Sequence, residues 1–220
     1  MYRYCSQCGK SHKACICRWI ESLSSNVELI ILQHATESNR PMGTAKILTL
    51  SLDNSYCFVG EDFSQHSDLN TLLSDSEYSH FIMYPCEHSQ CVSSLVLNES
   101  EVMERELNGK EEALKSKKIR IILLDGTWKK AYKMWQLSEN LHSLPMIHLP
   151  KELKGNYRIR KAPTDNSLST VEAGYHVLSI LQPELDFSPL QTAFDNMIQF
   201  YIDQMPEGVF ERNYKNSLSD

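Results

Sequence analysis

No apolar run in this 220-residue chain reaches the ~18 residues needed to cross a bilayer. The opening MYRYCSQCGK lacks the apolar core of a signal peptide. Internal repeats and low-complexity segments are absent as well. The expectation is therefore a cytoplasmic protein with reduced thiols and no membrane partner. The chain also lacks an excess of positive charge: its net charge is −6, which argues against a protein that coats nucleic acid everywhere. What remains is ordinary for a soluble globular chain, 41% hydrophobic and 23% charged, and long enough for one α/β domain with a small appendage.

The shortage of positive charge is not uniform. Residues 115–161 hold 12 Lys/Arg against 3 Asp/Glu, while the rest holds 10 against 25. Such a stretch reads either as a local phosphate-binding patch or as the solvated face of a basic helix.

Cysteine is concentrated. Four of the seven fall within thirteen residues, as Cys5, Cys8, Cys15 and Cys17. Two closely spaced pairs can supply the four soft donors of a tetrahedral zinc site, and four protein ligands would make the metal structural. Free thiols are the alternative, because a disulfide framework does not suit a reduced compartment. His12 is a possible substitute ligand or a solvated loop residue. Cys86, His88 and Cys91 do not have a standard zinc spacing.

Residues 119–124 (IRIILL) are apolar apart from Arg120 and mostly β-branched, as expected of a strand buried on both faces of a parallel sheet. Asp125 and Gly126 end it, and Thr127 can cap a helix carrying Trp128, Ala131, Tyr132 and Trp135, with Lys129, Lys130 and Lys133 between them. A carboxylate at the carboxyl end of such a strand sits where open α/β sheets bind ligands. Asp125 is thus a candidate functional residue, or an ordinary strand-end residue bonding the next turn. Trp135 reads as core.

Further strands are expected at 27–32, 56–59, 80–84 and 146–149. Thr44 can cap a helix with Ala45, Ile47, Leu48 and Leu52 on its apolar face. Glu37 and Arg40, in the loop before it, carry little weight alone. A short amphipathic piece is expected around Leu69, Leu72 and Leu73, and a charged helix, with Gly109 as a point of division, in the insertion-like segment 94–118. In YRIRKAPTDNSLSTVEA, residues 157–173, Arg158, Arg160 and Lys161 lead to a helix beginning near Ser169. Ser169 and Glu172 form a capping box in sequence, which explains both without any ligand. Helix continues through Leu181 and again over 190–205, and the end, 212–220, reads as frayed.

Together these pieces resemble the DTW-domain family, the tRNA-uridine aminocarboxypropyltransferases. The resemblance rests on the cysteine cluster, the loop and helix at 37–48, Asp125-Gly126-Thr127-Trp128, and the segment from Tyr157-Arg158-x-Arg160 to Ser169-Thr170-x-Glu172-Ala173. It implies an α/β, SPOUT-like fold with a C-terminal knot and a small N-terminal zinc-binding module. The implied divisions are residues 1–24 for the cysteine module, 25–205 for the transferase domain and 206–220 for a polar tail.

The resemblance further implies transfer of the 3-amino-3-carboxypropyl group of S-adenosylmethionine to N3 of a uridine in tRNA, with release of 5′-methylthioadenosine. Asp125 would then act as general base. The cofactor pocket would be built from Leu124, Gly126, Thr127 and Trp128, from Thr44 and Leu48, from Tyr84 and Pro85, and from Ser169, Thr170, Glu172 and Ala173. Lys129, Lys130, Arg158, Arg160 and Lys161 would contact RNA phosphates. Two other readings stand beside it: a SPOUT-type RNA methyltransferase using the same cofactor, and a zinc-ribbon RNA-binding protein without catalysis.

Overall fold

The computed structural model describes residues 3–96, 117–153, 155 and 168–215. Its first strand is β1, Glu28–His34, every residue of which is buried. α1, Ala45–Ser51, leads to β2, Ser55–Gly60; α2, Ser67–Leu73, leads to β3, Tyr78–Met83. After β4, Gln90–Cys91, comes β5, Lys118–Asp125, and then α3, Trp128–Leu137. β6, Met146–His148, precedes α4, Thr170–Leu181, and α5, Ser188–Asp203. The six strands form one sheet in the order β2-β1-β5-β3-β6-β4, with every pairing parallel.

Because side chains alternate across a strand, β1 feeds two cores. Leu29 and Ile31 join Ile121 and Leu123 of β5 against α1, α4 and α5. Ile30 and Leu32 join Ile82 and Ile122 against Phe63, Leu69 of α2 and Met134 of α3. The result is a sheet covered on both faces, which is why its strands read as continuous apolar runs. Where α1 crosses α4, a Cβ at Gly174 would lie 2.7 and 2.8 Å from the two Cδ atoms of Leu48. Glycine is what lets these helices approach so closely. The cysteine module packs on the first core: Ile16 and Cys8 belong to it, and Trp19 lies 6.3 Å from Phe200 of α5.

The strands and helices expected from sequence are present, with boundaries shifted by a residue or two. β4 was not expected; two residues carry no readable period. Most of the charged helix expected at 94–118 lies outside the described residues. Within the end expected to fray, Glu211–Lys215 forms a single π-helical turn, and Phe210 and Tyr214 pack on the first core.

Arg120, one of the basic residues counted over 115–161, lies inside the sheet rather than on a patch. It is 2% exposed and sits opposite Glu28 in the β1–β5 ladder. Its Nε and Nη2 donate to Glu28 Oε2 at 2.8 and 2.6 Å, and Nη1 donates to the Leu72 carbonyl at 2.6 Å. Tyr78 donates its hydroxyl to Glu28 Oε1 at 2.6 Å while its ring lies 3.7 Å from the guanidinium carbon. Burial holds the neighbouring His80 below the usual imidazole range. Breaking a buried ion pair on one side leaves the other charge stranded. Arg120→Met is therefore expected to lower the unfolding free energy by about 3–5 kcal/mol, read from urea melts. Arg120→Met/Glu28→Gln should recover part of that loss.

Candidate active site

β5 ends at Asp125 because Gly126 can turn beside Lys130, whose Cβ would lie 3.1 Å from a Cβ added there. Thr127 takes an extended conformation and caps α3, its hydroxyl accepting from the Lys130 amide at 3.4 Å. The adjacent strand places Gln33 in register with Asp125. Gln33 Nε2 donates to Asp125 Oδ2 at 2.6 Å, and from the start of α4 the Thr170 hydroxyl donates to Oδ1. One donor on each oxygen fixes the carboxylate while leaving it further acceptor capacity. Ser169 caps α4 as expected: its backbone N–H donates to Glu172 Oε2 at 2.7 Å and its hydroxyl accepts from the Glu172 amide at 3.4 Å.

The carboxylate faces a cavity of about 760 Å3 at the carboxyl ends of β5, β3 and β6. The β5–α3 junction contributes Leu124, Asp125, Gly126, Thr127 and Trp128. Tyr84 and Pro85 enter from the end of β3, Thr44 from the start of α1, and Ser169, Thr170 and Ala173 from α4. Two residues expected there lie elsewhere. Leu48 is fully buried against Gly174, and Glu172 is 3% exposed within the helix cap. A cavity of this size at this edge of a parallel sheet is what a cofactor-sized ligand requires.

The loop after β1 forms another wall, through Glu37 and Arg40. Glu37 is gripped on both sides, by Lys130 Nζ at 2.8 Å and Arg40 Nε at 2.8 Å. Lys130 Nζ also donates to Thr36 Oγ1 at 2.6 Å. The Thr36 amide donates to His34 Nδ1 at 3.2 Å, which assigns the ring proton to Nε2, facing Glu61 Oε1 at 3.0 Å. Lys133 meets the same Glu61 oxygen at 2.9 Å, and its hydrogen bond is the largest cause holding the Glu61 carboxyl low. The basic patch is thus thinner than its composition: Arg120 is interior, and Lys130 and Lys133 have carboxylate partners. Lys129 stays exposed, and Arg158, Arg160 and Lys161 lie outside the described residues.

Gln33 was missed by sequence reasoning, although the rule that selected Asp125 applies to it. It too is a polar residue closing an apolar strand of a parallel sheet. Leu149 and Pro150 also line the cavity just beyond β6, placed there by the end of the strand rather than by any polar group.

The four N-terminal cysteine sulfurs lie within 4.8 Å of one another. Cys5 and Cys17 are 3.7 Å apart, as are Cys8 and Cys15. That spacing matches the edge of a tetrahedron of ~2.3 Å metal–sulfur bonds, roughly 3.8 Å, and is far beyond an S–S bond. Backbone N–H groups of Cys8 and Gln7 pull the Cys5 thiol down to about 6, whereas burial pushes Cys17 up to about 12. The cluster can hold a metal ion. All seven cysteines are free, and none of Cys57, Cys86 or Cys91 joins it.

The profile of the DTW domain family matches residues 2–202. The chain belongs to the DTW-domain family. Among its relatives, tRNA-uridine aminocarboxypropyltransferase 2 of Drosophila melanogaster is 30% identical over 192 residues, 82% of this chain and 68% of the relative. The proteins of that name from Macaca fascicularis and Mus musculus are each 28% identical, over 81% of this chain and 56% of their own length. The DTW chain thus spans just over half the length of those two relatives. No solved structure gives a significant match.

The grip on Glu37 is open to test. Lys130→Met is expected to speed hydrogen exchange at the amides of residues 36–43 by about fivefold, the effect of losing roughly 1 kcal/mol from a half-buried charged contact. Unchanged exchange would show that Lys130 does not hold this loop.

Proposed function

We propose that this chain is a tRNA-uridine aminocarboxypropyltransferase that binds S-adenosylmethionine in the cavity beside Asp125. The observation that carries the reading is the Asp125 carboxylate, held on both oxygens by Gln33 and Thr170 and facing a cofactor-sized space. The names of the relatives, as tRNA-uridine aminocarboxypropyltransferases, support the substrate and the transferred group. In this reading S-adenosylmethionine supplies an activated carbon next to a sulfonium. Asp125 accepts the proton of uridine N3 as that nitrogen bonds to the carbon. The carbon–sulfur bond breaks and its electron pair stays on sulfur, leaving neutral 5′-methylthioadenosine. The start of α4 offers amide donors and a helix dipole to the carboxylate of the cofactor. Thr127 and Trp128 wall the pocket, and Gln33 and Thr170 keep Asp125 aimed.

Lys129, Arg158, Arg160 and Lys161 are assigned to RNA phosphates, and Lys130 in part, since Glu37 already engages it. An exposed loop uridine suits the site, because RNA loops present unstacked bases. The proposal includes a SPOUT-like architecture with a C-terminal knot, as the family resemblance implies; the parallel sheet, with late strand β5 between β1 and β3, accords with the α/β part of it. A cytoplasmic location accords with seven unbonded cysteines, and no helix among the described residues is long and apolar enough to cross a membrane. The metal of the cysteine cluster is taken as structural zinc.

Incubation with S-adenosylmethionine and bulk tRNA should release 5′-methylthioadenosine and yield a uridine carrying the transferred group, identified by mass spectrometry. S-adenosylhomocysteine in its place would establish methylation instead. Asp125→Asn is expected to slow transfer by at least about 100-fold with the fold unchanged; a near wild-type rate would remove Asp125 as base. Freshly purified protein should contain one zinc per chain by elemental analysis. Cys8→Ser should lose it and unfold at lower temperature, and metal-free wild-type protein would refute the zinc assignment.

A further inference from the structure

Helix α3 leaves a row of aromatic rings in solvent. Trp128 and Tyr132, one helical turn apart on the same face, are each 51% exposed. They belong to a continuous series. Tyr84 meets Trp128 edge-on at 6.1 Å and stacks on Trp135 at 6.4 Å, with 13° between the planes. Tyr132 lies 6.2 Å from Trp135, and exposed His142 lies 4.8 Å from the same ring. The outer rings are tethered: Gln136 Nε2 donates to the Tyr132 hydroxyl at 3.0 Å, and His142 Nε2 donates to the Trp135 carbonyl at 2.9 Å.

The inner end of this series belongs to the cavity, which Tyr84 and Trp128 line. Tyr132, Trp135 and His142 are not in that lining; Trp135 packs partly buried on the second core, as read from sequence, and backs the exposed Tyr132 and His142 beyond the rim. Exposed Lys129 projects from the same helix, whereas Lys133 is paired with Glu61. Exposed rings such as Tyr132 and His142 are a platform on which unpaired bases can stack, and a nearby cation on the same helix, Lys129, can meet the backbone. A duplex keeps its base faces covered and cannot use such a surface. Continuity with the cavity, together with the exposed cation of Lys129, favours a nucleic-acid strand.

We propose that Tyr132, Trp135 and His142 form a stacking shelf for an unpaired nucleobase of single-stranded RNA adjoining the base that enters the cavity. The shelf rests on the RNA-directed reading of that cavity. It names the form of substrate: a segment splayed open at two neighbouring nucleotides, one in the pocket and one on the rim. Tyr132 supplies the most exposed face of the shelf.

The test uses the full chain and a short fluorescein-labelled oligouridylate, with binding read by anisotropy. Tyr132→Ala is expected to weaken binding by about tenfold, the loss of one stacked base. Tyr132→Phe, which keeps the ring, should bind close to wild type. Calorimetric affinity for S-adenosylmethionine should be the same in all three proteins. Oligouridylate binding that Tyr132→Ala leaves unchanged, or that wild type lacks, overturns the shelf. Self-association of wild type that Tyr132→Ala abolishes also overturns it, by making this face a subunit contact. If Tyr132→Ala loses oligouridylate while wild type releases no 5′-methylthioadenosine from any tRNA, the shelf stands and the transferase reading falls.

Discussion

The in-register parallel pairing of β1 with β5 is the constraint on which the rest depends. One ladder sets Glu28 opposite Arg120 at its amino end and Gln33 opposite Asp125 five residues later. At about 3.3 Å per residue the two polar pairs are roughly 16 Å apart, with only aliphatic side chains between them. A slip of one residue would turn every side chain to the other face and strand two buried charges without partners. The ion pair at one end thus helps specify the alignment that brings amide to carboxylate at the other. Its net contribution to stability need not be large for that, since desolvation offsets much of the attraction between buried charges.

Covering both faces of the sheet fixes where a ligand can enter. α1, α4 and α5 close one side and α2 and α3 the other, so open space remains at the carboxyl edge, where strands hand over to helices. Two of those handovers are capped by hydroxyl side chains, Thr127 and Ser169, and each cap lies in the cavity lining. Local structure and site are therefore built from the same residues. Ser169 shows the consequence: the capping box accounts for it completely, yet the geometry that the box enforces aims Thr170 at Asp125.

Much of this was legible in the chain because burial on both faces leaves an obvious mark. IRIILL and VELIIL read as central strands, and the positions of Asp125 and the two caps follow from strand ends and cap residues. The reading failed where a side chain's role depends on a neighbour distant in sequence. Arg120 counted toward a surface patch because nothing nearby reveals Glu28, 92 residues away. Lys130 looked free for phosphate until folding set Glu37 beside it, and Leu48 looked like a pocket residue until Gly174 let α4 close over it. Gln33 is different. The strand-end rule reached it, but an amide after five buried residues draws less notice than a carboxylate before a glycine.

Pocket and rim follow opposite physical logic, and each suits what it would handle. Inside, a charge must be held by preorganised donors, because reorientation during a reaction costs the stabilisation that fixed dipoles supply. Gln33 and Thr170 meet that demand for Asp125. Outside, a partner that is flexible and sequence-variable is better met by rings than by directional hydrogen bonds, since every base has a π-face. Trp128 belongs to both regions: it lines the cavity and is also half exposed at the start of the aromatic row. In the proposed reading, a single helix, capped beside the carboxylate and aromatic along its outer face, joins the pocket to a surface that accepts any base. That coupling gives the Asp-Gly-Thr-Trp junction a reason to continue into a helix whose exposed face is not simply charged.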